Sequence, residues 1–167
     1  IDHRADIYAL GVILYEMASG KLPFDSDNFM GILTQHMYST PIPIRALVNN
    51  AAISPKTSFK ERLGILNGDV EAWREVFELN FFTPLQLARG FAKPLHQGKG
   101  AIVNITSIAG HAIHPFAGSA YSTSKAALSG LTREMAVEFA ALGVRVNALA
   151  PGEIETAMIG PEYEALI

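Results

Sequence analysis

The 167-residue chain has no cysteine, which excludes disulfide frameworks and thiolate chemistry. It also lacks long apolar runs. Residues 7–17, the most apolar early stretch, are about half as long as a bilayer span and include Glu16. The basic segment and small-residue cleavage site of a signal peptide are absent. Neither sign of charge dominates: 13 Lys and Arg face 16 Asp and Glu, a net charge of −3. That balance argues against nucleic-acid or anionic-membrane partners. No internal repeat and no low-complexity tract interrupts the chain. The composition that remains is 49% hydrophobic and 17% charged, which suits one globular domain of ordinary size. The expectation is a soluble cytoplasmic protein.

Two blocks differ in pattern. In the first, residues 5–19 are apolar on all sides and stop at Gly20, so the spacing predicts a helix buried in something larger. Ser26 or Asp27 is placed to cap a second helix running to Tyr38. Pro41 and Pro43 then force extended backbone, as a linker would. The second block alternates. A short apolar run at residues 45–49 precedes Asp69, which can cap a helix. Trp73, Val76, Phe77, Phe81, Leu85, Ala88, Phe91 and Leu95 follow it at helical spacing. Residues 101–105 read as a strand. Leu128, Leu131, Met135, Phe139 and Leu142 mark another helix, Gly143 stops it, and residues 144–150 read as a third strand. Strands alternating with helices predict an α/β fold with about three parallel strands.

Tyr121 and Lys125 stand four apart where a helix begins, so their side chains share a face. A tyrosine hydroxyl has an ordinary pKa of about 10, and a nearby ammonium favours the phenolate. The pair can then exchange a proton with an alcohol or carbonyl oxygen. Taken alone, Tyr-x-x-x-Lys is common by chance and more often marks a surface tyrosine beside a solvated lysine. Ser107 ends a strand, where open α/β sheets place their sites, and its hydroxyl can hold a substrate oxygen. Asn80 lies in the apolar stretch of its helix. Its amide either satisfies a backbone group or holds a water in a proton path. His111 and His114 are three apart without a third ligand, so no metal site is expected.

Four motifs occur in one order: Leu47-Val48-Asn49-Asn50-Ala51-Ala52, Ile105-Thr106-Ser107, Tyr121-Ser122-Thr123-Ser124-Lys125, and Val146-Asn147-Ala148-Leu149-Ala150-Pro151-Gly152. Together they resemble the short-chain dehydrogenase/reductase family over about three quarters of the chain. The resemblance implies hydride transfer between NAD or NADP and a small alcohol or ketone. It implies that Tyr121 is the general acid/base, that Lys125 lowers the tyrosine pKa and binds the nicotinamide ribose, that Ser107 orients the substrate oxygen, and that Asn80 supports a proton relay. It places Asn49, Asn50 and Ala51 along the cofactor cleft, and Pro151, Gly152 and Thr156 at the nicotinamide end. Ala52 departs from the family's glycine. The helices at 69–95 and 121–142 resemble those that pair subunits in the family, which implies a homo-oligomer surface and, as an alternative function, a non-catalytic interaction fragment.

The family's glycine-rich Thr-Gly-x-x-x-Gly-x-Gly turn, whose free amides and helix dipole hold the cofactor pyrophosphate, has no counterpart here. Instead, Asp6-Ile7-Tyr8-Ala9-Leu10-Gly11-Val12-Ile13-Leu14-Tyr15-Glu16-Met17 and Gly20-Lys21-Leu22-Pro23-Phe24 resemble the large lobe of a bacterial serine/threonine protein kinase. The catalytic loop, Asp-Phe-Gly and ATP lysine are missing, so kinase activity is excluded. The expectation is a chimera: a kinase-like helical fragment over 1–45, and over 46–167 a truncated dehydrogenase domain lacking its first βαβ cofactor-binding unit. Its first strand should have a bare edge. The catalytic residues mark an NAD(P)-dependent oxidoreductase with weak or lost cofactor binding and no useful turnover.

Overall fold

A computed structural model describes residues 4–41, 43–56 and 62–154. The chain divides into two compact units, Ile1–Ile44 and Arg45–Ile167.

The first unit holds two helices, α1 (Arg4–Ser19) and α2 (Phe29–Tyr38). Gly20 ends α1 with φ +68°, a left-handed conformation that glycine adopts without steric cost. The N-cap of α2 is Asn28, whose side chain accepts the Gly31 amide at 2.7 Å, rather than Ser26 or Asp27. The Tyr8 hydroxyl meets His36 Nδ1 at 2.6 Å, and Phe24, which is buried, lies against the His36 ring. The expected burial of α1 is not found. Tyr8, Leu10, Ile13 and Leu14 are about half exposed and Met17 is 77% exposed. A unit this small offers one ten-residue helix to a surface that is apolar all round.

The second unit is a parallel sheet of three strands in the order β1 (Ala46–Asn49), β2 (Ala101–Ile105), β3 (Arg145–Leu149). Asn49 is opposite Asn104, and Asn104 opposite Ala148. Among the described residues no strand pairs with the outer edge of β1. The connection from β1 to β2 contains α3 (Val70–Phe77), a π-helical turn (Glu78–Phe82) and α4 (Thr83–Gln97); α5 (Ser119–Ala140) connects β2 to β3. Helix α5 packs on β2 and β3, α4 on β1 and β2, and α3 meets α5. Strand alternation separates the two faces. Ile102 and Val146 are buried on the helix-covered face, whereas Val48 and Leu149 on the other are 56% and 57% exposed.

The helix expected to run continuously from Asp69 begins there, with the Asp69 carboxylate accepting the Glu71 amide, but it widens at residues 78–82. Thr83 gives both its amide and its hydroxyl to the Glu78 carbonyl, five residues back. One cause is legible in the sequence. Pro84 has no amide hydrogen for the carbonyl of Asn80, and its ring would strike that carbonyl in a regular helix. The extra residue turns Val76, Asn80, Pro84 and Ala88 into the core together.

Candidate functional site

The site gathers at the carboxyl ends of β2 and β3. Ser107 stands two residues beyond β2, and not at the strand's last position. It caps a short 3₁₀ turn, Ile108–Gly110, by accepting the Ala109 amide on Oγ at 3.1 Å. That bond fixes the oxygen and leaves its hydrogen free to be donated. The turn is held against α5 by Gly110: a Cβ there would lie 2.8 Å from the Ala126 nitrogen and 2.9 Å from the Lys125 carbonyl carbon. Only glycine allows this approach, which brings the serine turn beside the backbone of Lys125.

Tyr121 and Lys125 lie in the first two turns of α5. Tyr121 is half-buried and Lys125 is buried, 2% exposed. The lysine Nζ donates to the carbonyl of Ile105, the last residue of β2, at 2.6 Å, and stands 5.7 Å from the centre of the Tyr121 ring. Burial pushes the Lys125 pKa down to about 8. Of its three hydrogens one is spent on Ile105, and the other two have no protein acceptor among the described residues. The ammonium therefore acts on the tyrosine in a partly desolvated place, where its field is stronger than in water.

Asn80, 1% exposed, behaves as a clamp. Its Oδ1 accepts the Ile53 amide at 2.9 Å, while Nδ2 donates to the Ile53 carbonyl at 3.0 Å and to Ser124 Oγ at 3.1 Å. Ser124 in turn donates to the Tyr121 carbonyl at 2.8 Å. The π-helical turn is thus tied to the chain after β1 and to the turn of α5 that carries Tyr121. The side chain thus rests on the Ile53 backbone and on the Ser124 hydroxyl. Ser124 and Gly110 bear no mark in the sequence that separates them from neighbouring small residues. Pro84 does bear one, a proline in mid-helix.

The residues implied for the cofactor cleft fall in different places. Asn49 is buried on the helix-covered face, where Nδ2 donates to Asn104 Oδ1 at 2.7 Å. Asn104 donates on to Thr132 Oγ1 at 2.9 Å, and Thr132 to the Leu128 carbonyl. The side chain of Asn49 thus joins a core network, and its Oδ1 has no partner there. Asn50 and Ala51 are exposed just past β1. Pro151 is half-buried, with its carbonyl accepting the Ile108 amide at 3.1 Å, and Gly152 is exposed. Thr156 lies outside the described residues. His114 pairs with Glu153 across the same end of the sheet. Among the described residues no three His, Asp or Glu side chains group as metal ligands, and no helix is long and apolar enough to cross a membrane.

The ribose end of a dinucleotide, which carries hydroxyl acceptors, fits the two unspent ammonium hydrogens on Lys125, and Asn50, Ala51 and Gly152 are exposed just past the carboxyl ends of β1 and β3. The described residues include no strand–glycine turn–helix unit able to cradle a diphosphate.

Residues 26–166 match the family model described as short chain dehydrogenase. The chain is 54% identical over 125 residues to protein FixR of Bradyrhizobium diazoefficiens, covering 75% of this chain and 45% of that protein. It is 40% identical over 119 residues to the galactitol 2-dehydrogenase (L-tagatose-forming) of Cereibacter sphaeroides, covering 70% and 44%. The chain thus spans about half the length of the curated relatives it matches. Among solved structures, a Brucella ovis oxidoreductase of the short chain dehydrogenase/reductase family, in complex with a partially ordered NAD, superimposes with a TM-score of 0.66 at 56% identity. That match covers 69% of this chain and 52% of the other. A 3-oxoacyl-[acyl-carrier protein] reductase with bound NAD from Brucella melitensis gives 0.67 at 32% identity, covering 74% and 46%. The family match begins at residue 26, inside the segment that resembles a kinase lobe, and none of these relatives is a kinase.

Proposed function

Because the chain belongs to the short chain dehydrogenase family, we propose that Ser107, Tyr121 and Lys125 form the proton-transfer half of an NAD(P)-dependent oxidoreductase that interconverts a small alcohol and a ketone. The observation that carries the reading is the Lys125 ammonium, buried, anchored on Ile105 and facing the Tyr121 ring. In the reductive direction Ser107 donates its free hydrogen to the carbonyl oxygen and holds it. Negative charge gathers on that oxygen as the C=O π pair moves onto it, and Tyr121 gives it the phenolic proton. Lys125 stabilises the phenolate left behind. In the oxidative direction the phenolate takes the alcohol proton. A bound NAD(P) supplies or accepts the hydride. Lys125, Asn50, Ala51, Pro151 and Gly152 would hold its nicotinamide-ribose end, with Thr156 as a further contact. Asn80 and Asn49 support these residues from behind. A cytoplasmic location is part of the same proposal.

For the 167-residue polypeptide itself we expect weak cofactor binding and negligible turnover, since the sequence holds no glycine-rich diphosphate cradle. Isothermal titration with NAD and NADP, alongside an assay of NADH- and NADPH-dependent reduction of simple ketones, tests both halves. Tight binding of either cofactor refutes the weak-binding reading. Turnover undiminished in Tyr121→Phe refutes the assignment of the acid/base. A junction near residue 45 between a kinase-like helical fragment and the dehydrogenase domain rests on the sequence motifs alone, and the family match, which begins at residue 26, runs across it.

One observation favours a second reading, an interaction surface that pairs two copies through the helices at 69–95 and 121–142. Val70, Trp73, Phe77 and Phe82 line an open groove of about 380 Å³, with Val70 65% and Phe82 43% exposed. Sedimentation of the chain in dilute buffer tests it, and a clean monomer removes it.

A further inference from the structure

The segments leaving β2 and β3 stay paired beyond the sheet. Thr106 gives its amide and its hydroxyl to the Leu149 carbonyl, at 2.8 and 3.0 Å, and Ile108 gives its amide to Pro151. The two backbones then part, one turning through Ile108–Gly110 into the loop that leads to α5, the other continuing through Gly152. Side chains rejoin them: His114 Nε2 is hydrogen-bonded to Glu153 Oε1, with 20% and 24% of the two side chains exposed. The tautomer follows from a second contact. The Phe116 amide donates to His114 Nδ1 at 3.3 Å, so Nδ1 carries the lone pair and the ring hydrogen sits on Nε2, pointing at the carboxylate. A donor aimed at a charged acceptor makes one of the stronger hydrogen bonds a protein forms. Nearby Ile113 is 92% exposed, so this stretch of loop has little core to hold it.

We propose that His114 and Glu153 are positioning residues: their bond ties the loop after β2 to the turn after β3, and so holds the short turn from which Ser107 presents its hydroxyl. Calling the tethered serine part of a reaction rests on the oxidoreductase reading above; the tether and its effect on Ser107 do not. Three backbone amides report on the device. Phe116 reads the histidine through its bond to Nδ1. Ile108 reads the join to Pro151. Ala109 reads Ser107 directly, because its amide donates to Ser107 Oγ.

The experiment is amide hydrogen exchange, followed by NMR, in the whole chain and in two variants. Glu153→Ala removes the acceptor. Glu153→Gln keeps an acceptor oxygen without the charge. We expect exchange at Phe116, Ile108 and Ala109 to rise about tenfold in Glu153→Ala, and to return most of the way in Glu153→Gln. Amides inside α5 should not change, which shows that the domain remains folded. If the α5 amides also lose protection, His114→Gln, which keeps a donor near the Nε2 position, replaces it: Ala109 should then stay protected. Unchanged exchange at all three amides in a folded Glu153→Ala overturns the tether. Faster exchange at Phe116 alone, with Ala109 unmoved, overturns the positioning role. Neither result depends on turnover, so ketone reduction undiminished in Tyr121→Phe counts against the oxidoreductase reading and leaves this inference standing.

Discussion

Replacing Asn80 by alanine should unravel the support of the site, and the structure sets the size of the effect. The side chain makes three hydrogen bonds at 2.9, 3.0 and 3.1 Å while 1% exposed. A buried hydrogen bond contributes about 1 kcal/mol net, and a partner left unsatisfied costs about 1–3 kcal/mol. Ile53, at the exposure of 36%, can turn partly to water, which places its two bonds at the low end. The bond to Ser124 lies wholly inside. The sum is about 3 kcal/mol, or a fall in Tm of roughly 6–12 °C for a domain of this size. Thermal unfolding followed by near-ultraviolet circular dichroism measures it. Asn80→Asp is the sharper companion. It keeps the acceptor for the Ile53 amide, loses both donors, and sets a carboxylate against the Ile53 carbonyl, so it should cost at least as much. A residue whose sole task were to hold a water for proton transfer would leave Tm unmoved. A fall of less than about 2 °C in Asn80→Ala would therefore refute the clamp.

Three further outcomes follow from the same geometry. Gly110→Ala should destabilise the domain by about 1–3 kcal/mol in urea titration, because its methyl group meets backbone at Ala126 and Lys125 and not a side chain that can swing away; an unchanged midpoint would contradict the close approach. Lys125 should give stability an unusual dependence on pH. Its folded pKa of about 8 lies below the ordinary 10.5, so burial of the charge costs stability below pH 8, and the penalty lifts as pH rises from 8 toward 10.5, where the unfolded chain holds the extra proton. Lys125→Met should lack that rise, and parallel stability curves for the two proteins from about pH 7 to 10 would rule the assignment out. Tyr121→Phe should leave Tm within about 1 °C of the parent, since the hydroxyl has no partner among the described residues, while lowering any ketone reduction by about 10²–10⁴. A large loss of stability would mean the hydroxyl is structural.

Much of the fold could be read from local chemistry. Apolar periodicity, Asp69 as a cap and Gly20 and Gly143 as stops locate the helices, because each acts within a few residues of itself. The pairing of Tyr121 with Lys125 is local in the same sense, four residues along one helix. The π-helical turn was legible only to a reader who asked what Pro84 does to the carbonyl of Asn80. The exposed flank of α1 shows the opposite limit. An all-round apolar pattern says that a helix needs cover, and cannot say whether the surrounding chain supplies it.

The sequence by itself determined the kinds of groups available: a phenol, an amine and a hydroxyl in strand–helix–strand order, no thiol, and no glycine-rich phosphate cradle. Tertiary structure alone decided what those groups do to one another. Lys125 is buried because the end of β2 offers it a carbonyl 20 residues away in sequence. Asn80 reaches Ile53 and Ser124 across 27 and 44 residues, and His114 reaches Glu153 across 39. The physical reason is that desolvation and hydrogen-bond partnership belong to the place where distant segments meet, and no residue carries its own dielectric with it along the chain.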